Sequence, residues 1–308
     1  MNSAKEVIEN LIGNTNTILI KNNVYLKCEW QNLTGTPKTR FVNHRISRLQ
    51  SEGVIYPGMT LYDVSTGSEA AALAQFGKLL GYNVEVWLPD YVAGPFAEYI
   101  EMYGARVNFV DKDDWLLEGS KKAREFANKD NNGFYFNQAD ALEDAISAYS
   151  KIGEELSNYF RLKNVTPEAL VSVIGSGGLL LGTSLGLKKN FPKMKIYAVE
   201  LNEAPFLHSS IHNYVPKAIP HSVWGISCEG STRMKKELEK IVDDVLLFDE
   251  ETMKKTAEII PKELGISIDY PTSGNLLGAE KLLSHNDISQ IVTVWTGHGW
   301  RTLLKKIF

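Results

Sequence analysis

Residues 169–189 read ALVSVIGSGGLLLGTSLGLKK, and the reading of this stretch decides the fold. Leu170 to Ile174 is an almost unbroken apolar run rich in β-branched residues. It lacks the strict alternation of a half-exposed strand, as expected of a strand buried on both faces of a parallel sheet. Gly175-Ser176-Gly177-Gly178 follows at once, and from Leu180 the apolar residues recur at helical spacing. A glycine-rich turn between a buried strand and a helix lets the backbone approach an anion closely, while free amides and the helix dipole supply donors and partial positive charge. The same turn also serves tight strand-to-helix packing. Leu180 and Leu181 break the GxGxxG dinucleotide fingerprint and no GKS or GKT follows, so a single small phosphate is the better fit.

Outward from this stretch, short β-like runs at 24–27, 60–64, 84–88, 106–110, 133–137, 169–174, 195–199, 244–248 and 291–296 alternate with segments of helical periodicity at 38–52, 68–80, 96–103, 142–160, 180–189 and 250–264. Such alternation predicts a doubly wound α/β architecture with mostly parallel sheets and crossover helices. At 308 residues the chain exceeds a typical single domain, and no repeat, low-complexity block or flexible linker marks a boundary. We place it near residue 145, giving an N-terminal α/β domain over 1–145 and a C-terminal one over 146–308. The first ~35 residues are expected to cross to the second domain.

A formal net charge of −4 and a pI near 5.9 argue against a general nucleic-acid or anionic-membrane binder and leave small molecules as partners. The two cysteines, Cys28 and Cys228, stand far apart without metal-ligand spacing, so neither a disulfide framework nor a metal site is indicated. Both read as buried apolar thiols. Lys5, Glu6 and Glu9 stand where a signal peptide would have its apolar core, and no apolar run approaches the roughly 20 residues of a membrane span, so a cytoplasmic enzyme is expected.

Three more polar turns sit where ligands gather in open α/β sheets, outside the carboxyl ends of strands. Gln31 to Arg40 is a turn-rich stretch running into a helix with Lys38 in its first turn. A helix start disfavours a cation, and the same environment depresses an amine toward reactivity. Ser65-Thr66-Gly67-Ser68 lies between a strand and the helix beginning near Glu69, and offers either an N-cap or amides and hydroxyls that grip a carboxylate. Thr296-Gly297-His298-Gly299 follows the run 291–294, so the Thr296 hydroxyl can face a bound ring, whereas a histidine between two glycines is more often a packing or turn residue.

With these segments in view, the chain resembles the fold-type II family of pyridoxal-phosphate enzymes, particularly cysteine synthases and the catalytic core of cystathionine β-synthases. The likeness runs over nearly the whole chain in matching order. Leu11 to Thr15 resembles the family's "IGNTP", and Asn32 to Arg40 resembles "NPGGSVKDR" with its Schiff-base lysine, here Lys38. Pro57-Gly58 through Ser68 resembles "PG-T-VEPTSGN", Gly175 to Leu179 resembles the phosphate loop "GTGGT", and Trp224-Gly225-Ile226 resembles "QGIG" lining the substrate cleft. The resemblance implies two doubly wound domains, tryptophan-synthase-β-like, with pyridoxal 5'-phosphate in the cleft between them, and relatives of this kind are commonly homodimers. It implies cofactor contacts from Lys38, Ser68, Gly175, Ser176, Gly177, Gly178 and Leu179, with Thr296 at the pyridine nitrogen. Substrate contacts fall to Ser65, Thr66, Gly67, Ser68, Glu69, Gln138 and Gly225, and the catalytic roles to Lys38 and Glu69.

The departures carry information. Ser68 replaces the family's asparagine at the phenolic oxygen, Glu69 the following Thr or His, and Leu179 a hydroxyl of the phosphate loop. A carboxylate at Glu69 would repel an amino acid's own carboxylate unless it turns to solvent, is protonated, or pairs with a cation. The activity implied is β-replacement or β-elimination on a serine- or cysteine-like amino acid through an aminoacrylate. Thr296-Gly297-His298-Gly299 keeps open a threonine-synthase-like or serine/threonine dehydratase activity, and Ser68 and Glu69 keep open a non-catalytic relative.

Overall fold

In the computed structural model, which describes residues 4–111, 115–219, 221–227, 232–284 and 288–300, the buried run at 169–173 is the strand on which one sheet is organised. In chain order the elements are α1 (Ala4–Leu11), β1 (Thr17–Ile20), β2 (Val24–Lys27), α2 (Lys38–Ser51), β3 (Thr60–Val64), α3 (Ser68–Leu80), β4 (Asn83–Pro89), α4 (Pro95–Glu101), β5 (Arg106–Val110), α5 (Trp115–Lys129) and β6 (Gly133–Tyr135). There follow α6 (Leu142–Lys163), β7 (Ala169–Val173), α7 (Gly178–Lys188), β8 (Lys195–Leu201), α8 (Phe206–Ile211), α9 (Thr232–Ile241), β9 (Asp244–Phe248), α10 (Glu250–Leu264), α11 (Tyr270–Leu283) and β10 (Ile291–Val294).

Two compact units emerge. One takes in the chain up to Ile12 together with Lys38–Ala141, and the other Gly13–Pro37 with the chain from Leu142 on. The first unit carries a four-stranded parallel sheet in the order β5-β4-β3-β6. The second carries a six-stranded sheet in the order β1-β2-β10-β7-β8-β9, parallel except where β1 pairs antiparallel with β2. Each sheet has a point at which the chain reverses its direction of growth. From β3 it builds outward through β4 and β5 and then places β6 on the other side of β3, and from β7 it builds through β8 and β9 and then places β10 on the other side of β7. Switch points of this kind leave a crevice outside the carboxyl ends of the two adjacent strands.

Every residue of β2, β7 and β10 is buried. Val24, Leu26, Val171, Val173 and Ile291 meet Leu276, Ala279 and Leu282 of α11 in one core, each large side chain stabilising by roughly 1.5–3 kcal/mol. Lys27, on the opposite face of β2 from Leu26, is also buried, because its ammonium donates to the Thr15 carbonyl at 2.6 Å and pairs with Glu155 of α6 at 2.7 Å. In the first unit Tyr62, Val64 and Trp87 pack against Ala123 and Ala127 of α5. Cys28 is a free buried thiol whose pKa burial pushes up to about 11, while Cys228 lies outside the described residues.

Several elements differ from the sequence expectation. The run at 133–137 stops being a strand after Tyr135, because Asn137 adopts φ 50°, a left-handed conformation that ends the extended backbone. β1 is a four-residue edge strand with only half-buried and exposed residues, too weakly patterned to stand out. α11 begins Tyr-Pro-Thr-Ser-Gly, poor helix formers, and is held by its N-cap Asp269, which accepts from the Thr272 amide, and by burial. The helices α1, α5, α8 and α9 were likewise beyond the periodic segments.

Candidate active site

Lys38 opens α2 directly after Pro37, and its ammonium donates to the side-chain carbonyl oxygen of Gln138. Gln138 stands just beyond β6, and its own amide donates to Asp63 Oδ2 at 3.1 Å, across the β3/β6 switch point. The other oxygen of Asp63 accepts from the Val64 amide at 2.8 Å. Arg45, two turns along α2 from Lys38, donates from Nε to the Phe136 carbonyl at 2.8 Å and lies over the Phe136 ring. The lysine, the glutamine and a buried aspartate thus form one chain of contacts at the carboxyl ends of β3 and β6.

The turn Ser65 to Glu69 follows β3 in the same unit. Gly67 has φ +123°, and a Cβ there would lie 2.4 Å from Phe96 Cε1, so only glycine fits. The Ser65 hydroxyl accepts from the amides of Gly67 at 3.0 Å and Ala70 at 3.3 Å, capping α3 from within the turn. The amides of Thr66 and Glu69 have no acceptor among the described residues, as a carboxylate-binding turn requires. Glu69 does not face solvent: it is 1% exposed, and neither carboxyl oxygen has a hydrogen-bond partner among the described residues. Burial first, then the charge of Asp63, raises its pKa well above the usual carboxylate range, against the smaller opposing pull of Lys38, Arg45 and the nearby Ser65 hydroxyl. Burial likewise lifts Asp63 to about 7, opposed by its two amide donors, Arg45 and Lys38.

In the second unit Gly175 to Gly178 joins β7 to α7. Gly177, at φ +88°, caps the helix, and none of the amides from Gly175 to Leu180 has an acceptor among the described residues. That is the donor set an anionic phosphate needs, with the helix start adding its dipole. Packing constrains the same turn, since a Cβ on Gly177 would lie 2.7 Å from Leu238 Cδ1 and 2.8 Å from Met234 Cγ. Gly225, at φ +80°, sets its carbonyl where a Cβ on Gly175 would meet it at 2.6 Å, and the Ser227 amide donates to Ile174 at 2.6 Å. The structure therefore brings the Gly225 segment onto the glycine turn. Ser176 and Leu179 stay half-buried beside it.

Thr296 lies two residues beyond the end of β10, at the β7/β10 switch point. Its hydroxyl donates to Asp269 at 3.0 Å and lies 3.1 Å from the Thr272 hydroxyl, while its amide donates to Thr272 Oγ1 at 3.0 Å. Asn275 ties the two strand ends together, accepting from Val173 N and donating to the Val294 carbonyl, both at 2.6 Å. His298 packs edge-on against Trp30 with ring centroids 5.7 Å apart, in keeping with a packing residue. Sequence reasoning missed Asp63 and Asp269. An acid inside the apolar strand TLYDV, and an Asp followed by Pro and Thr at a helix start, were the available signals.

Comparison with known proteins gives this arrangement its context. The family model described as "Pyridoxal-phosphate dependent enzyme" matches residues 8–297, and the chain belongs to that family. It is 25% identical over 312 residues to the cysteine synthase of Staphylococcus aureus strain Mu50, covering 98% of this chain and 96% of that one. A cysteine synthase of Dictyostelium discoideum is also 25% identical, over 295 residues, covering 88% of this chain and 75% of the other. Among solved structures, a hydrogen sulfide-producing enzyme from Fusobacterium nucleatum superposes with a TM-score of 0.86 at 26% identity, covering 97% of this chain and 90% of that one. A variant of the same enzyme, solved with an α-aminoacrylate intermediate, gives 0.87 at 25% identity with the same coverage. The chain is a pyridoxal-phosphate-dependent enzyme of the cysteine-synthase type. Its residues fit the cofactor: a lysine at a helix start, and a glycine turn with unclaimed amides.

Proposed function

We propose that this enzyme carries out β-replacement or β-elimination on a serine- or cysteine-like amino acid, with Lys38 as the residue that holds the cofactor covalently. Bound pyridoxal phosphate supplies the sink for the electron pair left when the α-proton departs. The amides of Gly175 to Leu179 would hold its phosphate, and Ser68 and the Thr296 hydroxyl, the latter oriented by Asp269 and Thr272, would hold its ring. The turn Ser65 to Ser68 and Gln138 grip the substrate carboxylate, and Gly225 borders the substrate. Lys38 Nζ, which lies against Gln138 while no cofactor is bound, would be freed from the cofactor when the substrate amine displaces it and would then take the α-proton. Glu69 acts on the β-substituent.

The observation that carries this reading is the contact of Lys38 with Gln138 beside two buried carboxyl groups at the β3/β6 switch point. Product analysis with O-acetylserine, cysteine, serine and O-phosphohomoserine tests it. Release or exchange of the β-substituent of a three-carbon donor is the expected result, and turnover of O-phosphohomoserine alone would replace it with threonine-synthase chemistry. A cytoplasmic location and a homodimer complete the proposal, the latter checked by light scattering of the holoenzyme.

A further inference from the structure

Glu69 has surroundings that cofactor and carboxylate binding leave unexplained. Both of its carboxyl oxygens are buried without a hydrogen-bond donor among the described residues, at a switch point where ligands bind. The charged and titratable groups that face it are Asp63 from β3, Lys38 and Arg45 from α2, and Tyr135 from β6, with the Ser65 hydroxyl of its own turn. Asp63 keeps two amide donors, from Val64 and Gln138, which favour negative charge on Asp63. Two neighbouring buried carboxylates repel, so one proton is retained by the pair, and it resides on the member with the weaker set of donors: Asp63 accepts from two backbone amides, whereas Glu69 has only the Ser65 hydroxyl nearby. Glu69 is the proton-bearing member, and Asp63 the positioning residue that keeps it so.

We infer that Glu69 is the general acid that protonates the departing β-oxygen of the substrate, and that the site therefore takes an amino acid whose β-substituent is a free hydroxyl leaving as water. This rests on the β-replacement or β-elimination reading above. Hydroxide is the conjugate base of water, with a pKa of about 15.7, and cannot depart at neutral pH unaided. A carboxylate leaving group, with a conjugate acid near pKa 4, needs no proton, so an acid would be idle on an ester-activated donor. In the step, the Cβ–O bond breaks, its electron pair stays on oxygen, and the Glu69 proton completes the water molecule. Lys38 Nζ has by then taken the α-proton and become an ammonium, so the new Glu69 carboxylate forms beside new positive charge, with Arg45 adding to it. A proton from the incoming nucleophile, or from water, restores Glu69.

The test compares turnover of L-serine and O-acetyl-L-serine by the holoenzyme and its Glu69→Gln, Glu69→Asp and Asp63→Asn variants, with infrared spectra of each protein. We expect the serine to O-acetylserine ratio to fall at least about a hundredfold in Glu69→Gln and to recover in part in Glu69→Asp. The infrared band of a buried protonated carboxyl at neutral pH should vanish in Glu69→Gln. In Asp63→Asn, which removes the neighbouring negative charge, that band and the serine activity should both retreat to lower pH. An unchanged ratio in Glu69→Gln, an unchanged infrared band, or a wild type that turns over O-acetylserine but not serine would each overturn the inference while leaving the reaction class standing. Turnover of neither donor would overturn the underlying reading as well.

Discussion

Lys38 stands where helix amides leave partial positive charge, and a cation at a helix start is tolerated only where something compensates it. Here the compensation is the Gln138 side-chain oxygen, with Asp63 and Glu69 close enough to feel the charge. The purified protein should therefore be yellow, and borohydride reduction followed by peptide mapping should find the cofactor on Lys38. Lys38→Ala should abolish both the visible band and the label; a label on another lysine would refute the assignment. Glu69 makes a separate prediction about stability. Its folded-state pKa lies above its unfolded value, so the native protein keeps a proton that the unfolded chain has released. Stability then falls as pH rises from the ordinary carboxyl range, and the loss is complete once the folded-state pKa is passed. Glutamine does not ionise. In cofactor-free protein, the melting temperature lost between about pH 5 and about pH 8 should shrink in Glu69→Gln by on the order of 2 °C or more. An unchanged difference would mean that Glu69 is ionised in the folded protein.

At the scale of elements, the glycine turn between β7 and α7 serves two purposes, and mutation can separate them. Gly177→Asp adds a Cβ at φ +88° against Leu238 and Met234 and also a negative charge toward unclaimed amides, so cofactor affinity should fall at least about tenfold, ~1.4 kcal/mol. Gly177→Ala adds the Cβ alone. If fluorescence titration of folded protein shows equal affinity losses for the two, the turn matters through packing and not through the anion. This turn was legible in sequence because its signal is local: a buried run, four small residues and a helical period, all within 21 residues. β3 and β9 were legible for the same reason, each being a short run dominated by apolar residues, and β5 by its alternation of Val107, Phe109 and Val110 with Arg106 and Asn108. What stayed hidden was set by partners distant in the chain. Asp63 meets Gln138 across 75 residues, Asp269 meets Thr296 across 27, and α11 is a helix because its surface is buried against the sheet, despite its first five residues. The burial of Glu69 belongs to the same group: the sequence marked the residue as unusual, whereas its surroundings depend on α2, β3 and β6 coming together.

The path of the chain through its two units has a consequence for the whole molecule. The segment Gly13–Pro37 belongs with the residues from Leu142 on, and of the two strands it supplies, β2 pairs along its full length with β10 and lies between it and the edge strand β1. Val24, Leu26 and Cys28 enter the core of that unit, and Trp30 meets Trp295 with ring centroids 5.3 Å apart. Removing the segment would withdraw the burial of Val24 and Leu26, roughly 1.5–3 kcal/mol each, together with a ladder of hydrogen bonds. A domain holds only about 5–15 kcal/mol in total. It would also leave β10, whose residues are all buried, as an unprotected apolar edge, the kind of strand that templates aggregation. A polypeptide of residues 142–308 should therefore aggregate, or melt without a cooperative transition in circular dichroism. The same polypeptide with residues 13–37 joined to its N-terminus through a flexible linker should stay monodisperse and melt cooperatively. If the shorter polypeptide melted as sharply as the longer one, β2 would be an accessory to this sheet and the core of the unit would close without it.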